Sequence, residues 1–277
     1  MKSVTSEEIL EEIQYLRALI YGEPGQGKTT LCASACLDEL TAPALFLEYR
    51  AQIVGLRKNP QYMEAIKDGR LIIVKLEKYS ELNHIYSFLT RGRGSHKGLD
   101  QVFERLGHDK DTMPKTVVAD SLTELQRSEV MRRAGNAAGV FLTDVEVPHP
   151  QQWGSLLNQF TLLAHLFFQL PLHIVFSGLE TVDYGPHAVG EQAPIVGYRV
   201  ALQGQAKRQF PAYALTVMRL ERAAKGSKTS SGEPVFNVGY TSGTKAKTKD
   251  QTGMLPDVIP NPTIPMLVKL LQGGPGV

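Results

Sequence analysis

The sequence predicts an α/β fold with a mostly parallel central sheet flanked by helices and a β-hairpin extension near its C-terminus. Short apolar runs typical of buried strands alternate along the chain with helical patterns of apolar residues. The five runs cover residues 18–22, 44–48, 71–76, 116–121 and 172–178. A chain of 277 residues without an internal repeat is expected to form a single domain over residues 1–277.

A phosphate-binding loop follows the first predicted strand. The pattern G-x-x-x-x-G-K-[ST] is matched in full by a segment of nine residues: Gly22, Glu23, Pro24, Gly25, Gln26, Gly27, Lys28, Thr29 and Thr30. In such a loop, backbone N–H groups surround the phosphates, the lysine reaches the β- and γ-phosphates, and the hydroxyl next to it can ligate Mg²⁺. The sequence therefore predicts binding of a nucleoside triphosphate together with Mg²⁺.

The remaining elements are predicted from local patterns. Capping residues Thr5 and Glu8, followed by apolar residues at helical spacing, predict an N-terminal helix within residues 1–17. A helix over 29–40 should follow the phosphate loop. Two apolar runs, 213–221 and 234–242, predict the β-hairpin region of residues 213–242, and the segment 243–277 should end in a helical turn or two over 266–271.

Three stretches show little periodicity and are predicted to be irregular. They cover residues 92–114, 135–151 and 181–209, and the last is interpreted as a long functional or mobile loop because it is rich in Gly, Pro, Gln and charge.

Composition indicates a soluble, cytoplasmic protein. The chain is 42% hydrophobic and 21% charged, with a formal net charge of +2. No apolar run approaches the roughly 20 residues that span a bilayer, and the N-terminus is acidic where a signal peptide would be basic. Cys32 and Cys36 lie four residues apart on the predicted helix after the phosphate loop, so we expect them to pack in the core rather than bind metal or form a disulfide.

The basic residues are unevenly distributed. Between residues 199 and 228 the only acid is Glu221, against seven cations: Arg199, Lys207, Arg208, Arg219, Arg222, Lys225 and Lys228. Such a run is either a solvated face or a surface that binds a polyanion.

Three polar residues at the ends of predicted strands are candidates for chemistry. Asp120 closes an apolar strand and is expected to join Thr29 in the Mg²⁺ site, by analogy with other phosphate-loop ATPases. Glu48 closes the second strand and is expected to orient and activate the attacking water, although a solvated acid is the alternative. Ser177 closes the fifth, where its hydroxyl could sense the γ-phosphate at the opposite end of the sheet.

A group of alternating lysines lies near the C-terminus. Lys245, Lys247 and Lys249 should point the same way on an extended segment. They either form a solvated loop or supply a cation to the phosphate site of a neighbouring subunit.

Several of these segments occur together in one family. The segments 22–30, 45–48, 117–125, 152–154 and 247–256 together resemble the small phage-encoded RecA-like ATPases, a family associated with single-strand annealing and recombination. The resemblance implies a RecA-like core that hydrolyses ATP, binds single-stranded DNA and assembles with itself as a ring or filament. It also implies a place in the cytoplasm of an infected host cell and, as a further partner, a single-strand-binding protein.

The resemblance also assigns roles to particular residues. Residues 46–51 are similar to a segment of hexameric replicative helicases in which the residue matching Glu48 is catalytic, although many RecA-like proteins place that acid two residues later, where this chain has Arg50. Lys247 and Lys249 match lysine or arginine fingers that act across a subunit interface.

The DNA-binding loops of RecA-like proteins correspond to residues 127–152 and 181–209. The residues expected to contact DNA phosphates are Arg132, Arg133, Arg199, Lys207 and Arg208, and the aromatic residues that could stack on bases are Tyr184, Tyr198 and Phe210. Two alternatives remain: a minimal helicase-like motor, and a nucleotide-dependent switch without a role on DNA.

Overall fold

The computed structural model describes residues 14–49, 52–133, 150–186, 193–243 and 245–273. Its strands are β1 Arg17–Gly22, β2 Ala44–Glu48, β3 Leu71–Lys75, β4 Thr116–Asp120, β5 His173–Tyr184, β6 Ile195–Val200, β7 Thr216–Arg222, β8 Asn237–Tyr240, β9 Lys249–Asp250 and β10 Val258–Pro260. Its helices are α1 Lys28–Ala33, α2 Pro60–Lys67, α3 Glu81–Arg91, α4 Lys97–Arg105, α5 Leu122–Arg133, α6 Pro150–Phe168, α7 Ala206–Tyr213 and α8 Ile264–Leu271. Two 3₁₀ segments, Ser34–Leu37 and Gln52–Lys58, follow α1 and β2.

The central sheet is mostly parallel, as the sequence predicts. Its order is β10-β8-β7-β1-β5-β4-β2-β3, and the six strands from β7 to β3 run parallel. Strand β8 runs antiparallel to β7, and β10 antiparallel to β8. Because the parallel strands share one direction, their carboxyl ends meet along one edge of the sheet, where ligands of open α/β folds bind.

Alternate residues of the strands pack into two cores, one on each face of the sheet. On one face Leu19 and Phe176 join residues of α3 to α7, and on the other Ile20 and Phe46 join residues of α1, α2 and α8. Burial on both faces explains why these strands read as continuous apolar runs. Among the described residues, no helix has the length and apolar character needed to cross a membrane.

Two predicted irregular stretches are folded. The stretch 92–114 contains α4, and the stretch 181–209 contains the end of β5, all of β6 and the start of α7. Strand β5 continues past the core and pairs with β6 as an antiparallel hairpin, with Val182 opposite Tyr198. The interpretation of 181–209 as a long loop is therefore wrong. The hairpin escapes periodicity analysis because polar and charged residues occupy both of its faces.

Other boundaries also differ. The helix after the phosphate loop ends at Ala33 and gives way to a 3₁₀ turn, so the predicted helix 29–40 is too long. Most of the predicted N-terminal helix lies outside the described residues, but residues 14–16 are not helical and Arg17 already belongs to β1. The β-hairpin extension is present as β7 and β8, and β7 also pairs with β1, so the hairpin is part of the main sheet. Helix α8 lengthens the expected last turn.

Candidate nucleotide-binding site

The phosphate loop connects β1 to α1 at the carboxyl edge of the sheet. Two of its glycines have positive φ angles, 80° at Gly25 and 85° at Gly27. Residues with a Cβ rarely adopt such angles, so glycine is favoured at both positions. Gly22 is required for space, because a Cβ there would lie 2.3 Å from the carbonyl oxygen of Leu220 on β7. The structure thus gives a physical reason for glycine at three positions of the loop pattern: backbone conformation at Gly25 and Gly27, and close packing at Gly22.

Lys28 folds back into the loop. Its Nζ donates hydrogen bonds to the carbonyl oxygens of Gly22 (2.8 Å) and Glu23 (2.7 Å), and only 8% of the residue is exposed. Desolvation lowers the pKa of Lys28, and the nearby Asp120 carboxylate opposes that shift. An ammonium held among loop atoms, with only backbone carbonyls as hydrogen-bond acceptors, is suited to meet an incoming phosphate.

A chain of hydrogen bonds joins α1, β4 and β5 beneath the loop. Thr29 Oγ1 donates to Asp120 Oδ2 at 2.7 Å, and Ser177 Oγ donates to Asp120 Oδ1. Strand β5 lies between β1 and β4, so the strand that carries Asp120 is not the neighbour of the loop strand. Ser177 therefore occupies the middle of the site, and its expected place at the opposite end of the sheet is wrong.

The direction of the hydrogen bond from Thr29 to Asp120 determines what the Thr29 hydroxyl oxygen can bind. Since the Thr29 hydroxyl hydrogen points to Asp120, the oxygen lone pairs remain free for a cation. Hydroxyl and carboxylate oxygens are ligands that Mg²⁺ prefers. The residues at this position fit a magnesium ion held by Thr29, with Asp120 next to it.

Glu48 lies beside Asp120 on the adjacent strand. The two residues are register partners at the carboxyl ends of β2 and β4, and Glu48 is only 1% exposed. Its Oε1 accepts the Ile53 N–H at 2.9 Å, whereas Oε2 is buried and has no hydrogen-bond partner among the described residues. An unsatisfied buried carboxylate oxygen is costly unless a ligand or water completes it. The expectation of a solvated strand-end acid does not fit this burial.

The predicted finger lysines lie in different environments. Lys247 is exposed, and its backbone N–H donates to Tyr198 O at 2.8 Å. Lys249 is partly buried, donates from Nζ to Ala212 O at 3.1 Å, and has a pKa lowered by desolvation. Strand β9 pairs with the amino-terminal half of β7, away from the edge that carries the phosphate loop. The expectation that all three lysines point the same way stays a prediction, although Lys249 is less exposed than Lys245 and Lys247.

Three of the predicted DNA-contacting arginines are already ion-paired. Arg132 and Arg133 both bind the buried carboxylate of Glu129, at 2.7 and 2.9 Å, and Arg199 pairs with Asp183. Residues 134–149 of the first predicted DNA loop lie outside the described residues.

The other two cations differ. Lys207 is partly buried and Arg208 exposed in the first turn of α7, and neither forms an ion pair within the described part of the chain.

The three aromatic candidates for base stacking differ in exposure. Tyr184, the last residue of β5, is 64% exposed. Phe210 is buried in the core, so it offers no stacking face. The ring of Tyr198 is covered by the guanidinium of Arg219, 4.0 Å from its centroid.

One buried ionic cluster was not predicted as a site. Arg219 forms a two-pronged ion pair with Glu180 (2.7 and 3.2 Å) beneath the Tyr198 ring, and Tyr21 donates to Tyr198 O. Tyr21 immediately precedes the phosphate loop, so the cluster links the β5–β6 hairpin to the loop strand. The sequence shows Arg219 only as one cation in a basic run, because Glu180 and Tyr198 come from other strands. Arg219 also pairs at 2.7 Å with Glu221, two residues later on β7.

Cys32 and Cys36 are buried and free, in agreement with a packing role. Within the described ranges, no group of three or more His, Cys, Asp or Glu side chains is placed to hold a metal ion.

Comparison with known proteins gives one family and a distant structural likeness. The sequence matches the family model AAA_24, described as an AAA domain, over residues 14–249. No curated protein matches the sequence. Among solved structures, a KaiC-like protein from the hyperthermophilic archaeon Pyrococcus horikoshii OT3 is similar, with 14% identity, coverage of 89% of this chain and 78% of that chain, and a TM-score of 0.40.

Proposed function

Because this chain belongs to the AAA domain family, we propose that it is a Mg²⁺-dependent ATPase that binds single-stranded DNA as an oligomer and acts in annealing or strand exchange. The observation that carries the ATPase part is the meeting of Lys28, Thr29, Asp120 and Glu48 at one edge of the sheet. The DNA part rests on the sequence resemblance and on Lys207 and Arg208 of α7, which form no ion pair with the residues that the structure describes.

The residues divide the chemistry between binding and activation. Loop N–H groups and Lys28 bind the phosphates. Thr29, with Asp120 next to it, would hold Mg²⁺, which would supply positive charge to neutralise the phosphates. Ser177 fixes the Asp120 carboxylate from the side of β5. Glu48 accepts a proton from the attacking water at Oε2, the oxygen that no protein group satisfies among the described residues.

Replacing Lys28 by Ala tests the site. We expect the affinity for ATP to fall about 10- to 100-fold, because hydrogen bonds to a charged group contribute about 1.5–3 kcal/mol. Calorimetric titration with ATP and Mg²⁺ measures the change, and circular dichroism checks the fold. The exposed Lys67 on α2, changed to Ala, is the matched control and should bind ATP like the wild type. Equal affinity in both variants would place the nucleotide elsewhere.

The DNA part of the proposal depends on Lys207 and Arg208. Both stand in the first turn of α7, which follows the β5–β6 hairpin, and no carboxylate of the described residues neutralises them. Arg132, Arg133 and Arg199 would have to leave an existing carboxylate partner to contact a phosphate. The exposed Tyr184 at the end of β5 supplies a stacking face.

Replacing Lys207 and Arg208 together by Ala should weaken single-stranded DNA binding and lower the slope of log K against log salt by about 1 to 1.5 units, since each phosphate contact to a single strand contributes about 0.7. Fluorescence anisotropy of a labelled oligonucleotide at several salt concentrations measures the slope. Changing the exposed Lys67 and Lys110 together removes the same charge far from α7 and should leave the slope intact. Equal slopes for the two double variants would contradict this DNA path.

Self-assembly completes the proposal. Lys249 lies at the end of the sheet remote from the phosphate loop of its own subunit, so any action of Lys249 on a γ-phosphate requires a neighbouring subunit. A helicase-like motor would share these residues, and ATP-driven unwinding of a duplex would distinguish it. A switch without a DNA role would show no salt-dependent retention on single-stranded DNA.

A further inference from the structure

The first residue of β8, Asn237, borders the phosphate loop. The side chain of Asn237 lies 3.1 Å from the position of a Cβ at Gly27. In its hydrogen-bonding orientation, the Asn237 amide donates to the carbonyl oxygen of Gln26 at 3.3 Å and to that of Phe236 at 3.1 Å. The side chain of Asn237 therefore holds the start of β8 against the phosphate loop.

Phe236, the neighbour of Asn237, is an unusually exposed aromatic residue. It is 67% exposed, more than any other large hydrophobic side chain among the described residues, and its ring stacks on no other ring of that part of the chain. Scattered exposed apolar residues are common at protein surfaces, so exposure alone would carry no conclusion. What distinguishes Phe236 is that one side-chain amide, that of Asn237, donates both to its carbonyl oxygen and to that of Gln26 in the loop.

The backbone around Phe236 is fixed on both sides. Its N–H donates to Asn261 Oδ1 at 2.7 Å, and its carbonyl oxygen accepts the Ala223 N–H at 2.9 Å. Asn261 also donates from Nδ2 to Pro234 O at 2.8 Å, and it adopts a φ of 45°, in the left-handed region. These bonds hold an exposed phenyl ring on a rigid support, which limits the entropy lost when a ligand stacks on it.

We propose that Phe236 is the stacking platform for the base of the nucleotide bound at the phosphate loop, with Asn237 joining the platform to the loop. This inference rests on the proposed function, since it requires a nucleoside triphosphate at Lys28. Phe236 is thus assigned to the recognition of a planar aromatic base rather than of phosphate.

The link between Phe236 and the loop through Asn237 favours a nucleotide base over a base of DNA. Phosphates held by the loop carry their own base through a single sugar, so that base reaches the surroundings of Gln26 and Gly27 at a high effective concentration. A DNA base would have to be delivered there by a separate chain. The proposed DNA contacts, Lys207 and Arg208, lie on α7, which packs on the opposite face of the sheet from α1.

The experiment compares ATP with inorganic tripolyphosphate, which has the phosphates but no base. Calorimetric titration in the presence of Mg²⁺ is carried out on the full chain and on Phe236→Ala. We expect the variant to bind ATP about 5- to 100-fold more weakly, since stacking of a base on an aromatic ring contributes about that factor. Its affinity for tripolyphosphate should remain that of the wild type.

Two further variants sharpen the comparison. Phe236→Tyr keeps the ring and should retain ATP affinity within about twofold, whereas Phe236→Leu keeps apolar area without a ring and should resemble Phe236→Ala. Leu162→Ala removes an exposed apolar side chain of α6, to which no binding role is assigned, and should leave ATP affinity unchanged.

The outcomes separate this inference from the proposed function. Unchanged ATP affinity in Phe236→Ala, with ATP and tripolyphosphate both sensitive to Lys28→Ala, would overturn the platform and leave the nucleotide site standing. An equal loss for ATP and tripolyphosphate would make Phe236 a support of the loop rather than a base platform. A selective loss of single-stranded DNA affinity would assign the ring to DNA and also overturn the inference.

Discussion

Replacing Glu48 by Gln is expected to lower the rate of ATP hydrolysis about 10²- to 10⁴-fold, the range typical for loss of a general base. Glutamine has nearly the same shape and its oxygen can still accept the Ile53 N–H, so the turn after β2 should persist. It cannot accept a proton from water. Affinity for ATP should stay within about twofold of the wild type, because the residues assigned to binding are Lys28 and Thr29.

Single-turnover hydrolysis and calorimetric ATP binding, measured on the same preparation, separate these effects. Glu77→Gln is the matched control, because Glu77 is exposed just after β3, the strand next to β2. It should hydrolyse ATP like the wild type. A Glu48→Gln rate within threefold of wild type would move the activating carboxylate elsewhere, and Glu124, buried in the first turn of α5, would be the next candidate.

The features predicted correctly depend on local sequence. The phosphate loop is a continuous segment whose glycines are needed for backbone geometry and close approach, so its pattern survives in the sequence. The parallel strands are buried on both faces, and continuous burial leaves continuous apolar runs. Glu48 and Asp120 could be located because each ends such a run.

Strand order and ion pairing depend on contacts between distant parts of the chain. Nothing in residues 172–178 indicates that β5 inserts between β1 and β4, and this insertion brings Ser177 to Asp120. The Arg199–Asp183 pair likewise requires the register of the β5–β6 hairpin. The pairing of Glu129 with Arg132 and Arg133 is different, because spacings of three and four residues on a helix predict it from sequence alone.

The proposed base platform also depends on contacts between distant parts of the chain. Phe236 and Asn237 lie more than 200 residues from the phosphate loop in sequence, and no motif marks them. They reach the loop because β7 pairs with β1 and β8 returns antiparallel beside β7. Side chains that complete a site from a late strand can be found only after strand order is known.

Acidification is expected to destabilise the fold through His173, at the start of β5. His173 is 5% exposed, and its Nδ1 accepts the Leu16 N–H at 3.0 Å. Desolvation is the main cause that lowers its pKa to about 4, with the Leu40 backbone hydrogen bond acting in the opposite direction. Protonation would add charge to a buried ring and remove the acceptor for Leu16.

The sign of the effect follows from the two states. Unfolded chains bind a proton at His173 near pH 6.5, whereas the folded protein does so only near pH 4. The free energy of unfolding is therefore unaffected by this group well above pH 6.5, and it falls as the pH drops from 6.5 towards 4. Between pH 7.5 and 5.0 the expected loss of unfolding free energy from this one group is about 2 kcal/mol.

Urea unfolding at the two pH values isolates this contribution when the wild type is compared with His173→Gln. Glutamine can accept the Leu16 N–H but does not titrate, so the unfolding free energy of the wild type should fall by about 2 kcal/mol more than that of the variant. His165→Gln, at an exposed position of α6, is the control variant and should follow the wild type. Parallel losses in the wild type and His173→Gln would show that acid acts on other groups, and that His173 takes up a proton in the folded state as easily as in the unfolded chain.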